Sequence, residues 1–309
     1  MLEVQNLHKN YGSFTAVTDV SFTLEPGDVF GFIGSNGAGK TTTIKMLATL
    51  LEPTHGTARL DGFDIMEQPL EVRRRIGYMP DFFGLYDDVK VWEYLDYFSA
   101  LYSVPVNDRP GVIDNVLELT DLGFKRDAMV ASLSRGMQQR LCLARCLVHD
   151  PTLLLLDEPA SGLDPRARAE LKELLAELGR MGKIVLVSSH ILPELADFCN
   201  KVGIIERGNL LAFGGVDEIA RGLKSIKVLE FRVLDRASEL SMWLHGKPSI
   251  QNTYLMGATT VKVDFDGTHE GQVELVRAIV NAGYPVLEVR EEGVDLEDVF
   301  LNVTQGALN

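Results

Sequence analysis

The sequence predicts an α/β fold followed by a smaller α+β domain, and three observations lead to this prediction. Short apolar runs alternate with helical patterns over roughly the first 220 residues, as in α/β layer structures. Three of these runs are apolar almost throughout, which is typical of strands buried in a parallel sheet: 29–33, 152–156 and 183–188. After about Gly222 the texture changes. The predicted element order there is β-α-β-β-α-β, the split βαβ pattern.

Composition narrows the class of protein. The chain of 309 residues has room for one large and one smaller domain. No stretch approaches the ~20 apolar residues of a membrane span, and the N-terminus lacks a signal-peptide core, so we expect a cytoplasmic protein without a direct membrane span. The net charge of −14 argues against a nucleic-acid partner. Of the three cysteines, Cys142, Cys146 and Cys199, we expect Cys142 and Cys146 to be buried thiols, because the sequence around them is apolar.

A glycine-rich turn follows the first of the apolar strands. Residues 34–42 read GSNGAGKTT and fit the pattern G-x-x-x-x-G-K-[ST] between a strand and a helix predicted over 42–51. Such a turn aims backbone N–H groups at an anion, with the positive end of the helix dipole behind them. Lys40 adds a charge for the β- and γ-phosphates, and the Thr41 hydroxyl is placed to ligate Mg²⁺. The sequence therefore predicts a nucleoside triphosphate site formed by Gly34, Ser35, Asn36, Gly37, Ala38, Gly39, Lys40, Thr41 and Thr42.

A second strand ends in two carboxylates. Four leucines at 153–156 precede Asp157 and Glu158. Beside a phosphate-binding loop, the first acid would hold Mg²⁺ directly or through water, and the second would polarise a water molecule for attack on the γ-phosphate. Leucines spaced for one helix face predict a helix over 166–181 before the next strand. The two motifs together predict a magnesium-dependent nucleoside triphosphate site, and they leave open whether it belongs to a kinase, a GTPase, a recombinase or a transport ATPase.

A third motif points to one family. Residues 133–140 read LSRGMQQR, and this stretch resembles the signature of ATP-binding cassette (ABC) ATPases, LSGGQ followed by a basic, Gln-rich helix. It matches at Leu133, Ser134 and Gly136, and it departs at Arg135 and Met137. The resemblance implies a P-loop NTPase cassette over about 1–220. This fold has a mixed sheet with helices on both faces and a helical subdomain at about 82–132.

The same resemblance assigns roles to further residues. Tyr11 corresponds to the aromatic that stacks on adenine, and Asp164 belongs to the loop that crosses the dimer interface. His190 corresponds to the histidine that contacts the γ-phosphate. Asp81 stands where the family has Gln, and two interpretations remain open: the carboxylate sees Mg²⁺ or the attacking water, or it is an ordinary acid of a surface loop.

The predicted helical subdomain is rich in aromatic residues. We expect most of them to form its core, although some could line a groove for a partner helix, since aromatics anchor interfaces. The eight are Phe82, Phe83, Tyr86, Trp92, Tyr94, Tyr97, Phe98 and Tyr102. The C-terminal domain, 221–309, contains no phosphate loop or metal-binding pattern. It is predicted to be a regulatory or interaction module.

The resemblance implies an ATP-binding and hydrolysing subunit of an ABC transporter. Two copies would sandwich two ATP molecules, with Lys40, Glu158 and His190 of one chain facing Ser134 and Gly136 of the other. A separate multi-span permease would hold the pair at the inner face of the cell membrane. The tail at 293–301, GVDLEDVFL, is similar to that of exporters of drugs, lipids or polysaccharides. Two alternatives are a translation- or repair-related cassette ATPase and a small-molecule kinase.

Overall fold

The computed structural model describes residues 1–291 except 83, 192–194, 196, 217 and 220–225. These residues form two compact units, of which the first ends at Val216. The closing helix predicted at 296–303 and the tail motif at 293–301 lie outside the described residues. Within the described part, none of the helices combines the length and the apolar composition that crossing a membrane requires.

The first unit contains ten strands and six α-helices among the described residues. The strands are β1 Leu2–Tyr11, β2 Phe14–Leu24, β3 Val29–Ile33, β4 His55–Leu60, β5 Phe63–Asp64, β6 Ile76–Met79, β7 Leu153–Leu156, β8 Ile184–Ser189, β9 Lys201–Glu206 and β10 Asn209–Gly215. The helices are α1 Lys40–Leu47, α2 Pro69–Arg73, α3 Val91–Leu101, α4 Arg109–Leu119, α5 Arg135–Leu147 and α6 Pro165–Arg180.

These strands form one mixed sheet, in the order β5-β4-β1-β2-β10-β9-β3-β8-β7-β6. The five strands from β9 to β6 run parallel, whereas β1, β2, β4 and β5 pair antiparallel with one another. Strands β3, β7 and β8 are buried along their whole length, as their continuous apolar sequence predicts. The predicted α/β fold with a mixed sheet is therefore confirmed.

The helix after the glycine-rich turn is shorter than predicted. It begins at Lys40 instead of Thr42 and ends at Leu47 instead of Leu51. Thr49 has a left-handed backbone, with φ of 58°, and the N–H of Leu50 donates to the carbonyl of Lys45. This turn ends the helix in the manner of a C-terminal cap. The apolar residues that continue the periodic pattern past Leu47 therefore lie in a turn.

The prediction that most of the aromatics at 82–102 form a core is wrong. Among the seven whose placement the structure describes, only Tyr94 is buried, and Phe82 is 90% exposed. Aliphatic residues such as Leu95 and Leu117 fill the space between α3, α4 and α5 instead. Of the other described rings, those of Tyr86, Tyr97 and Tyr102 are exposed, and those of Trp92 and Phe98 are partly exposed. Together with Phe82, these five rings are called the aromatic surface below.

The second unit has the element order β11 Ile226–Val233, α7 Ala237–His245, β12 Ile250–Leu255, β13 Thr260–Asp266, α8 His269–Asn281 and β14 Val286–Glu291. Its four strands pair antiparallel in the order β12-β13-β11-β14. A separate core joins this sheet to the two helices, with Phe231, Leu244 and Phe265 fully buried. This unit therefore has the means to fold around its own apolar centre.

Candidate functional site

The glycine-rich loop lies between β3 and α1, and its neighbours explain the glycines. A Cβ atom at position 34 would collide with the carbonyl oxygen of Ile205, and one at position 39 would lie 2.8 Å from that of Ala16. Gly39 also has a φ of 113°, and Gly37 has a φ of 83° in open space. Side chains are thus excluded from two positions by contact and from the third by backbone conformation.

Lys40 is buried inside the curve of this loop. Its Nζ atom donates to the carbonyl oxygens of Gly34, at 2.7 Å, and Ser35, at 3.2 Å. The same atom lies 3.5 Å from Oε1 of Glu158. Two loop carbonyls and one carboxylate therefore hold the ammonium group of Lys40 within the loop.

Thr41 and Asp157 meet next to this lysine. The Thr41 hydroxyl donates to Oδ2 of the buried Asp157 over 2.8 Å, and the Ser188 hydroxyl donates to Oδ1 over 2.6 Å. The carboxylate stands at the end of β7, next to the parallel strand β8 that carries Ser188. A hydroxyl and a carboxylate at this separation are the oxygen ligands that Mg²⁺ takes beside phosphate oxygens and water.

No group of three or more His, Cys, Asp or Glu side chains in the described part of the chain is arranged to hold a metal ion. Protein ligands alone therefore do not define a metal centre there. The Thr41–Asp157 pair fits the alternative described for nucleotide sites, in which one or two protein oxygens bind Mg²⁺ together with the phosphates.

Glu158 lies between two cationic or potentially cationic groups. One carboxylate oxygen faces Lys40, and the other is 2.9 Å from Nδ1 of His190. Its backbone is left-handed, with φ of 49°, and its N–H donates to the Ser188 hydroxyl over 2.9 Å. A non-glycine residue in this conformation costs on the order of 1–3 kcal/mol and is held by its surroundings. Such outliers concentrate at functional sites.

Ser188 and Glu206 belong to the site, although the sequence analysis assigned them no role. Ser188 links the backbone of Glu158 to the carboxylate of Asp157. Glu206, at the end of β9, accepts a 2.9 Å hydrogen bond from the Ser35 hydroxyl. A polar residue at the end of an apolar parallel strand was the available signal for Ser188. Glu206 had no local signal, since Ser35 is 171 positions away.

The remaining residues of the loop region are placed as follows. Ala38 is buried and its carbonyl accepts from the N–H of Gly208 over 2.8 Å. Asn36 is exposed and Thr42 is half-buried. Tyr11, at the end of β1, is half exposed, and Nζ of Lys9 lies 5.4 Å from its ring centroid. Tyr11 therefore keeps a ring surface open for stacking.

The signature residues line a different cavity. Ser134 caps α5, and its hydroxyl accepts from the N–H of Met137 at 3.4 Å. Ser134, Gly136 and Asp164 line a cavity of about 470 Å³ whose lining includes none of the loop residues 34–42. The Asp164 carboxylate caps α6 by accepting from the N–H groups of Arg166 and Ala167. Within one chain, the signature cavity and the phosphate loop are thus separate sites.

Asp81 lies outside both clusters. It is exposed, two positions after β6, and makes no hydrogen bond or ion pair with the described residues. Burial, together with the negative charges of Asp157 and Asp81, raises the pKa of the nearby Tyr78 to about 12. The negative charge of Asp81 therefore acts on Tyr78, at the edge of the site.

Comparison with known proteins decides the family. Residues 17–161 match the family model described as ABC transporter. The chain is 35% identical over 306 residues to the Nod factor export ATP-binding protein I of Burkholderia orbicola, covering 98% of this chain and 96% of that protein. The chain belongs to the ATP-binding proteins of ABC transporters. It is accordingly an ATP-binding cassette and an ATPase.

Further relatives agree with this assignment. The ABC transporter ATP-binding protein NatA of Bacillus subtilis is 38% identical over 211 residues, which are 68% of this chain and 86% of that protein. A solved structure titled as the ATP binding subunit of an ABC transporter is 31% identical, with a TM-score of 0.65. The alignment covers 72% of this chain and 92% of the chain in that structure. The cassette fold is therefore shared with a relative above 30% identity.

Proposed function

We propose that this cassette hydrolyses ATP as a homodimer and drives export through a separate membrane permease. The export direction is supported by the B. orbicola relative, which is named for export and aligns along nearly the whole chain. The single observation that carries the chemistry is the continuous cluster in which Lys40 faces Glu158 and Glu158 faces His190. The relatives described above do not support the alternative function in translation or repair.

The proposal assigns each residue of the cluster a role in hydrolysis. Lys40 and the loop N–H groups bind the β- and γ-phosphates, and Tyr11 stacks on the adenine. Thr41 and Asp157 would hold Mg²⁺, which neutralises phosphate charge when bound. Water attacks the γ-phosphorus, the bond to the β,γ-bridging oxygen breaks, and Glu158 accepts the water proton. His190 holds the Glu158 carboxylate and contacts the γ-phosphate.

The separation of the two sites within one chain supports the proposed dimer. Within one chain the signature residues Ser134 and Gly136 line a cavity apart from the phosphate loop. In the proposed head-to-tail pair, the N-terminus of α5 of one copy approaches the γ-phosphate bound by the other. Asp164, from the loop next to this cavity, would lie at the same interface. Two ATP molecules would then be enclosed by two copies.

The permease is proposed to bind the aromatic surface, which comprises the rings of Phe82, Tyr86, Trp92, Tyr97, Phe98 and Tyr102. Phe82, Tyr86 and Tyr97 are exposed there, and Phe98 and Tyr102 line an adjacent cavity of about 330 Å³. Aromatic side chains are enriched at protein interfaces. Replacing Phe82 and Tyr97 by Ala is expected to abolish co-purification of a multi-span membrane subunit while ATP binding stays within about twofold. Retention of the membrane subunit would contradict this location.

Substitution Glu158→Gln tests the chemistry. The amide keeps the size of the side chain but cannot accept the water proton, so turnover is expected to fall by roughly 10²–10⁴. ATP still binds, because Lys40, Thr41 and Asp157 are unchanged, and the uncleaved nucleotide holds the dimer together. The measurements are phosphate release, and light scattering after size exclusion with ATP or ADP.

A matched control removes the same charge elsewhere. Glu177, on the outer part of α6, pairs with Arg180 and is exposed. The control substitution Glu177→Gln is expected to leave both turnover and the ATP-dependent dimer unchanged. Normal hydrolysis by the Glu158 variant, or a variant that stays monomeric with ATP, would refute the proposed roles of Glu158 and of the Ser134–Gly136 segment.

A further inference from the structure

Arg135 is one of the two signature residues at which this chain departs from the family pattern, and its side chain has a defined position. The guanidinium lies against Gly162, so that a Cβ atom at 162 would sit 2.5 Å from both Cζ and Nη2. Nη2 donates to the carbonyl oxygen of Ser161 over 3.3 Å. Gly162 has a φ of 69°. The absence of a side chain at Gly162 is therefore what allows Arg135 to reach this carbonyl.

Ser161 is in turn tied to Glu158. The N–H of Ser161 donates to the carbonyl of Glu158 over 3.0 Å, which closes a turn over residues 158–161. The other end of this turn is fixed by the hydrogen bond from the Glu158 N–H to Ser188. The left-handed backbone of Glu158 therefore has one support from β8 and another, through Ser161, from α5.

We propose that Arg135 is a positioning residue for Glu158. By holding the Ser161 carbonyl and covering Gly162, it fixes the turn that sets the direction of the Glu158 carboxylate toward Lys40 and His190. The inference rests on the proposed role of Glu158 as the base. It assigns a role to the arginine that distinguishes this signature from one with glycine, which offers no side-chain donor to Ser161.

The planar guanidinium suits this task. It presents several N–H donors in a fixed plane and lies flat on a surface without a side chain, whereas a lysine ammonium is a compact charge on a flexible stem. Arg135→Lys keeps the charge and can reach the carbonyl, but it loses the flat contact with Gly162. We therefore expect Arg135→Lys to retain only part of the turnover that Arg135→Ala loses.

The main experiment compares kcat with KM in the full chain. Arg135→Ala is expected to lower kcat for ATP hydrolysis by about fivefold or more, because misplacing a reacting group by a fraction of an ångström is costly. The KM for ATP is expected to stay within about twofold, and the melting temperature is expected to be unchanged because the side chain is exposed. Arg180→Gln is the matched control, since Arg180 is an exposed arginine at the end of α6 that pairs with Glu177 and does not line the signature cavity.

A second variant disrupts the contact between Arg135 and Gly162 by changing the glycine. Gly162→Ala leaves the arginine charge in place but introduces a methyl group where the guanidinium lies. We expect it to reproduce the loss in kcat. The double variant is expected to lose less than the product of the two single effects, because both remove one contact.

Several outcomes would overturn the proposal. They are unchanged kcat in Arg135→Ala, full activity in Gly162→Ala together with loss in Arg135→Ala, or an equal loss in the Arg180→Gln control. The last two would indicate that the positive charge acts by itself. Glu158→Gln is measured in parallel: if it remains active, the proposed base is wrong, whereas its inactivity beside an active Arg135→Ala rejects only the positioning role.

Discussion

Glu158 is held in place through both its side chain and its backbone. Its carboxylate contacts Lys40 and His190, its N–H is bound by Ser188, and its φ of 49° is one that side chains rarely adopt. Backbone strain of this kind persists only where surrounding contacts determine it. Contacts on several sides thus fix the position of Glu158. Conservative changes around this residue are therefore expected to lower ATP turnover before they weaken ATP binding.

Asp81→Gln tests the unusual acid next to this site. Asp81 lies outside the phosphate cluster but at its edge, and removing a negative charge there lowers the electrostatic opposition to a hydroxide-like attacking water. Turnover is therefore expected to rise or to remain unchanged, and phosphate release under saturating ATP is the measurement. Asp81→Asn serves as a second neutral variant of the original length. A fall of more than about tenfold in both would make the Asp81 carboxylate a working part of the site.

The two helices that border the signature cavity begin with side-chain caps. Ser134 caps α5 through one longer hydrogen bond, whereas Asp164 caps α6 through two backbone N–H groups. An acidic side chain at a helix N-terminus also interacts favourably with the helix dipole. Asp164 therefore contributes to the stability of the 16-residue helix α6 in addition to its proposed place at the dimer interface.

Asp164→Ala is expected to lower the free energy of unfolding by about 1 kcal/mol, the usual cost of losing an N-cap. Denaturant titration of the nucleotide-free chain measures this cost apart from dimer formation. Asp164→Asn keeps an accepting oxygen and is expected to lose less than half as much. Equal losses in the two variants would show that the negative charge, not the cap geometry, is responsible.

A histidine after α5 links the helical segment to the sheet. The His149 ring stacks on Tyr102 at 3.6 Å between centroids, and its Nε2–H donates to the carbonyl of Ile76 over 2.9 Å. Its Nδ1 atom is buried and has no hydrogen-bond partner among the residues that the structure describes. Burial lowers the pKa of His149 below its usual value of 6.5, although the Ile76 bond acts in the opposite direction. The neutral ring is therefore the form that the fold accepts.

This lowered pKa predicts a loss of stability in acid. The unfolded chain binds a proton at His149 more readily than the folded chain, so the stabilising contribution is present above pH 6.5 and is lost as the pH falls through the lowered folded pKa. His149→Phe keeps a stacking ring without titration. The drop in unfolding free energy between pH 7.5 and pH 5 is expected to be smaller in this variant. An identical pH dependence would exclude His149 as its source.

Each of the two units has its own apolar core. The core of the first unit joins the mixed sheet to α1 and includes Phe30, Phe32 and Ile44, while that of the second unit includes Phe231 and Phe265. All the residues proposed to bind phosphate lie in the first unit. The second unit is therefore expected to act on assembly or regulation and not on nucleotide binding.

A chain shortened to residues 1–216 is expected to bind ATP with an affinity within about tenfold of the full chain. The reason is that the first unit keeps its core and its complete phosphate loop. Titration with ATP is the measurement, and circular dichroism with thermal melting confirms that the shortened chain is folded. A larger loss of affinity in a folded fragment would give the C-terminal unit a direct part in nucleotide binding.

The sequence by itself determined the strand at 29–33 with a turn and a helix after it, the acidic strand end at Asp157, and the burial of Cys142 and Cys146, which the structure confirms. These features depend on backbone conformation and apolar pattern over a few consecutive residues. Burial raises the pKa of Cys142 to about 12, in keeping with a thiol that acts as a small apolar side chain.

Only the tertiary structure decided which distant residues meet. Ser188 joins Asp157 across 31 positions, Arg135 reaches Ser161 across 26, and Glu206 reaches Ser35 across 171. The exposure of the aromatic surface was likewise set by aliphatic packing between helices. Local dihedral preferences and periodicity contain no information about such pairs. Their contacts depend on strand order and on how side chains fill the space between packed elements.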